Sequence, residues 1–184
     1  NHAFAMAIQG LAAPGDNIIL AAPYYFNHQM LLQMQGVETR LFQCKADNQM
    51  QPDIESAAKQ INDKTRAIVL VTPNNPTGAI MPAPLLDRFY QLAKDSGIAL
   101  ILDETYKDFL PNDYGKPHGL LSKPDWRDTL VQLTSFSKSY SLTGYRVGGI
   151  TAGPKLMAQI TKIADTVTIC PSHIGQIAAH YALD

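Results

Sequence analysis

Leu133–Gly149 reads LTSFSKSYSLTGYRVGG, and the fold turns on what this stretch joins. It sets one lysine, Lys138, among Ser135, Ser137, Ser139, Ser141 and Thr143, with Arg146 eight residues on and the apolar run Leu130–Leu133 before it. Small hydroxylic residues on a turned backbone make an anion-binding concavity, and an amine becomes a nucleophile towards carbonyls when its surroundings tune it. Taken alone, the stretch also fits a solvated Ser/Lys loop between two strands. The segments on either side decide between the two.

Upstream, apolar runs alternate with helical periodicity. Thr129–Thr134 and Ile98–Asp103 read as strands; between Arg66–Thr72, a third, and Ile98, Pro84 opens a helix with Leu85, Leu86, Phe89, Leu92 and Ala93 inward and Gly97 as its stop. Asp53–Ile61 predicts a short helix, and Asn17–Ala22, Tyr25–Gln35 and Val37–Phe42 predict one βαβ unit. Phe4, Ala7, Ile8 and Leu11 recur at helical spacing up to Ala13-Pro14-Gly15-Asp16. Downstream, Arg146–Ala152 predicts a sixth strand, and Ser172 caps a helix carrying Ile174, Ile177, Ala178 and Tyr181. Asn112–Asp128 is the most loop-like stretch. Such alternation predicts an α/β fold, a mainly parallel sheet with helices on both faces.

Composition narrows the function. The 184 residues are 46% apolar, enough to bury a core, and 15 Lys and Arg against 16 Asp and Glu leave no field for nucleic acid or an anionic membrane. Ala67–Val71 and Ile98–Leu102 are too short to span a bilayer, and no secretory leader opens the chain, so a cytoplasmic location is expected. Cys44 and Cys170 lack CxxC spacing and are expected to be buried thiols. Met30 and Met34 predict a packed helical stripe, whereas Lys155, Lys162 and Asp165 predict a wet face. His173 and His180 lack metal-ligand spacing, and Arg40, Arg66, Arg88 and Arg127 are expected to be solvated charges; no metal site is expected.

In a sheet of this kind a ligand lies outside the carboxyl ends of the strands. Three ends bring polar residues: Asn74-Asn75-Pro76-Thr77-Gly78 after one strand, Asp103 with Tyr106 after the next, and Ser135, Ser137 and Lys138 after the third. Neighbouring strands are about 4.8 Å apart, so two or three ends can surround one flat ring. A carboxylate there can cap a loop, or it can hold a cationic heterocyclic nitrogen protonated. A lysine able to form a Schiff base, beside a phosphate cup, suggests pyridoxal phosphate.

Asn75-Pro76-Thr77-Gly78, Asp103-Glu104-Thr105-Tyr106 and Ser135-Phe136-Ser137-Lys138 with Arg146 resemble, in order and separation, the class I/II pyridoxal-phosphate aminotransferases of the aspartate aminotransferase fold, fold type I. Tyr24-Tyr25-Phe26-Asn27-His28 is similar to the family segment that lays an aromatic ring over the cofactor. The resemblance implies that Lys138 holds pyridoxal 5'-phosphate through a Schiff base and later carries a proton. It implies that Ser135, Ser137 and Arg146 bind the phosphate, that Asp103 pairs with the pyridine nitrogen, and that Asn75 and Tyr106 hydrogen-bond the ring oxygen. Tyr25 would cover the ring, and His28 would support Asp103 or else be an ordinary helix residue.

The implied reaction moves an amino group between an amino acid and a 2-oxo acid. By the same resemblance, residues 1–184 are an incomplete large domain. The family's N-terminal segment, its C-terminal small domain with the arginine that grips the substrate carboxylate, and the homodimer partner would lie outside them, so little turnover is expected of the 184 residues alone. Two alternatives share the motifs: a lyase or synthase on the same fold, and a domain that senses the cofactor or an amino acid without turnover.

Overall fold

The computed structural model describes residues 1–184. Seven strands form one sheet: β1 (Asn17–Ala22), β2 (Glu38–Lys45), β3 (Gln51–Pro52), β4 (Thr65–Val71), β5 (Ala99–Asp103), β6 (Leu130–Ser135) and β7 (Gly148–Thr151). Seven α-helices accompany them: α1 (His2–Leu11), α2 (Phe26–Met34), α3 (Ile54–Ala58), α4 (Ala83–Asp95), α5 (Trp126–Thr129), α6 (Pro154–Val167) and α7 (His173–Tyr181). The strand order is β3-β2-β1-β4-β5-β6-β7. Pairing is parallel from β2 through β1, β4 and β5 to β6, and antiparallel at the two edges, β2 with β3 and β6 with β7.

Strand residues alternate between the two faces, and each face finds its own cover. Ile19, Ala21, Ile68, Leu70, Leu100, Leu102 and Leu130 pack with Ala57 of α3 and with Leu86, Phe89, Tyr90 and Ala93 of α4. Ile18, Leu20, Ala67, Val69, Ile101, Val131 and Leu133 pack with Phe4, Ala7 and Ile8 of α1 and Leu32 of α2. Two layers of helix over one sheet are the architecture expected of continuous apolar strands. Gly97, at φ 66°, closes α4, and Ser172 Oγ accepts from the Gly175 amide at 3.3 Å to cap α7.

Several expectations need correction. The helix foreseen over Asp53–Ile61 stops at Ala58, because Gln60 and Ile61 bond back three residues, to Ala57 and Ala58, and tighten the turn. The strand expected from Arg146 begins only at Gly148, since Arg146 itself is left-handed at φ 57°. It runs antiparallel, and β3 adds a seventh strand that two residues could not announce. The stretch Asn112–Asp128 ends in two short helical pieces, Leu120–Ser122 and α5. Met30 and Met34 are 51% and 80% exposed, because α2 turns His28 and Leu32 inward instead. Cys170 is exposed; Cys44 is half-buried, and burial pushes its thiol up to about 11. No helix is long and apolar enough to cross a membrane.

Candidate active site

Strand alternation places the first groups. Ile101 faces α1 and α2, so Asp103, two residues on, faces the same way; Val71 on β4 and Ser135 on β6 follow from Val69 and Leu133 by the same step. Parallel pairing sets Val71 beside Asp103 and Asp103 beside Leu133. All three same-face ends, Val71, Asp103 and Ser135, line one cavity of about 290 Å³. Asn75, Tyr106, Ser137, Lys138, Arg146 and Tyr25 also line it, with Asn1, Thr105 and Thr143. Eight of the nine site residues expected from the sequence therefore meet there.

The ninth, His28, stands behind the wall. Its Nε2 lies 3.3 Å from Asp103 Oδ2, and its ring stacks on Phe4 with centroids 4.1 Å apart. The ring is also met edge-on by Tyr25 at 5.4 Å, so it is a packed residue that supports Asp103. Burial pushes the Asp103 carboxyl up, but the hydrogen bonds from His28 and Thr105 outweigh it and hold the group below the usual carboxylate range. The carboxylate is thus ionised and only 13% exposed, a negative charge stored at the bottom of the slot.

Each loop is tied down separately. In the loop after β4, Asn74 and not Asn75 is the structural residue: its Oδ1 accepts from the Thr77 amide at 3.1 Å and hydroxyl at 2.9 Å. Asn75 is left to face the cavity, where its Nδ2 lies 3.5 Å from the Tyr106 hydroxyl. After β6, Ser135 Oγ accepts from the Ser137 amide at 3.2 Å, and the Leu142 amide returns to the Phe136 carbonyl at 3.3 Å. Arg146 Nη1 donates to the Thr143 carbonyl at 2.7 Å and approaches Ser137 Oγ at 3.4 Å, so guanidinium and hydroxyls converge. Lys138 is exposed and also lines a larger neighbouring cavity of about 740 Å³, with Asn75, Tyr106, Ile80 and Phe109.

The sequence reading missed a buried cluster on the other side of β5. Glu104, 2% exposed, accepts from Gln132 Nε2 and lies 3.0 Å from His118 Nε2. His118 Nδ1 accepts from the Leu120 amide at 3.2 Å, which leaves the ring proton on Nε2, facing the carboxylate. This pins the far end of the loop that begins with Tyr106. A histidine in a loop carries no periodicity, so nothing in the sequence signalled it.

An aldehyde-bearing, phosphorylated pyridine fits this donor set. An amine, an ionised carboxylate, a guanidinium with two serine hydroxyls, and an amide paired with a phenol all face one slot a ring can enter. The sequence pattern of the family described as aminotransferase class I and II matches residues 1–184. An aromatic aminotransferase of Arabidopsis thaliana is 34% identical over 100% of this chain and 47% of its own length. The aspartate aminotransferase of Sulfolobus acidocaldarius is 31% identical over 93% of this chain and 43% of its own. The crystal structure of the Thermotoga maritima aspartate aminotransferase superposes with a TM-score of 0.90 at 28% identity, over 98% of this chain and 48% of that one. The chain spans about half the length of the relatives it matches. With family pattern, relatives and fold in agreement over essentially every residue, the chain belongs to aminotransferase class I and II.

Proposed function

We propose that residues 1–184 are the cofactor-binding large domain of a pyridoxal 5'-phosphate-dependent aminotransferase that moves an amino group between an amino acid and a 2-oxo acid and works as a homodimer. The observation that carries this is the shared slot: Lys138 and Asp103 line it together with Asn75, Tyr106, Ser135, Ser137 and Arg146. When bound, pyridoxal phosphate supplies an aldehyde that takes up amino groups and a protonated ring that draws electrons from the substrate's α-carbon.

The residues divide the remaining work. Arg146, Ser135 and Ser137 bind the phosphate, the guanidinium offering a planar fork and the hydroxyls single donors. Asp103 keeps a proton on the ring nitrogen, and His28 keeps Asp103 in place. Asn75 and Tyr106 hold the ring oxygen, and Tyr25 covers the ring face. Lys138 Nζ would anchor the cofactor and would accept and return the substrate's α-proton. Its place in the walls of both cavities suits that role, since the open one gives a substrate access to the amine.

The test is chemical trapping. The protein is incubated with pyridoxal phosphate, reduced with borohydride and mapped by peptide mass spectrometry. The phosphopyridoxyl group is expected on Lys138 alone, and a label on another lysine in its place removes the assignment.

A further inference from the structure

Thr105 follows Asp103 by two residues and lines the same slot. Its amide donates to Asp103 Oδ1 at 3.0 Å and its hydroxyl donates to the same oxygen at 2.7 Å. The second oxygen, Oδ2, faces His28 Nε2 at 3.3 Å. An ionised carboxylate offers about four acceptor positions, so three donors leave one, and it lies on Oδ2. Without such ties the torsion that turns a carboxylate is broad and two-fold, and either oxygen could face the slot.

We propose that Thr105 is a positioning residue for Asp103: its two donors fasten Oδ1, so that Oδ2 alone, in one orientation, is presented to the cofactor's ring nitrogen. This rests on the assignment of Asp103 to that nitrogen made above. The hydroxyl is the informative half of the contact. Any residue but proline at 105 brings the amide; the second donor needs a side-chain hydroxyl at that distance. The other titratable and charged groups around the carboxylate are His28 from α2, Tyr25 before it, Tyr106, Lys138 and Arg146 on the loops, and Asn1 at the start of α1. Substituting Thr105 alters none of them.

Two variants separate the hydroxyl from the shape of the side chain. Thr105→Val keeps the branched form and removes the donor; Thr105→Ser keeps the donor. In cofactor-free protein labelled with carboxyl-¹³C aspartate, the Asp103 resonance is followed as pH is lowered from neutrality. Loss of one hydrogen bond to a charged group moves a carboxyl by about one pH unit, so Thr105→Val titrates that much higher while Thr105→Ser follows the parent. Binding of pyridoxal phosphate, followed by absorbance, weakens about 10-fold in Thr105→Val and less than about 2-fold in Thr105→Ser. In an Asp103→Ala background Thr105→Val has no further effect, because the residue acts through that carboxylate.

An unmoved Asp103 titration in Thr105→Val, or an undiminished effect of that substitution in the Asp103→Ala background, overturns the proposal. If the resonance moves as stated but the parent protein takes up no pyridoxal phosphate, the cofactor assignment falls and the fastening of Asp103 by Thr105 stands.

Discussion

Asp103 concentrates most of what single residues contribute. An apolar run directs it by alternation to the face that carries α2, and there His28 and Thr105 hold it ionised although nearly covered. Its native pKa lies below the ordinary value, about 3.9 in an unfolded chain. Between the two values the unfolded chain binds more protons than the native one. The stability Asp103 contributes is therefore fully present above the unfolded value and lost as pH falls through the native one. Asp103→Asn removes that titration, so its urea midpoint should fall less than the parent's between about pH 5 and pH 3. An equal fall in both proteins would show that Asp103 is not a source of the acid sensitivity. Asp103, Lys138 and Ser135 were legible in the sequence because each ends or follows an apolar strand. Thr105 and His118 were not: their roles come from a side chain returning to its own loop and from a contact fourteen residues back, neither of which leaves a pattern.

Secondary elements were legible where they are long or fully buried. β1, β4, β5 and β6 are runs of buried residues, and α4 has a stop glycine and a continuous inner face. At the edges β3 escaped, being two residues long, and β7 was legible as a strand but drawn too long and without its antiparallel direction, because pairing at a sheet edge asks little of residue type. The start of α6 is set by a close approach of backbone. Gly153, just before it, has an ordinary φ of −69°, yet a Cβ built there would collide with the Arg127 carbonyl oxygen in α5. The obstacle is main chain, which cannot rotate away as a side chain does. Gly153→Ala should therefore shift the start of α6 and destabilise the protein by about 1–3 kcal/mol, read as a lower urea midpoint. Gly10→Ala, whose Cβ would meet side-chain atoms alone, the tip of Leu156 on α6 at 2.9 Å and Ile160 and Gln159 at ordinary contact distance, provides the comparison and should cost less.

At the scale of the whole molecule, the order β3-β2-β1-β4-β5-β6-β7 explains both where the slot opens and what the sheet leaves uncovered. The chain builds from β1 outward to β3, returns to the other side of β1 with β4, and continues to β7. The slot lies beyond the carboxyl ends of β4, β5 and β6, on the arm built after that reversal. The helices cover both faces of the sheet but carry apolar residues on their outer sides as well. Phe26, Met30 and Met34 stand four residues apart along α2 at 61%, 51% and 80% exposure. Val167, Ile169, Ile174, Ile177, Tyr181 and Leu183 form a second exposed set around α7. Contiguous apolar surface beyond a few hundred Å² is uncommon on monomers, and it drives association at a strength of about 25 cal/mol per Å² removed from water. The 184-residue polypeptide produced on its own should therefore bind a hydrophobic dye and self-associate as its concentration rises. Replacing Met30 and Met34 with glutamine should reduce the association without lowering the urea midpoint, since neither side chain belongs to the core. A monodisperse monomer at high concentration that ignores the dye would mean that these side chains fold back onto the surface in solution, and that the outer face of α2 is not the sticky surface its sequence and exposure describe.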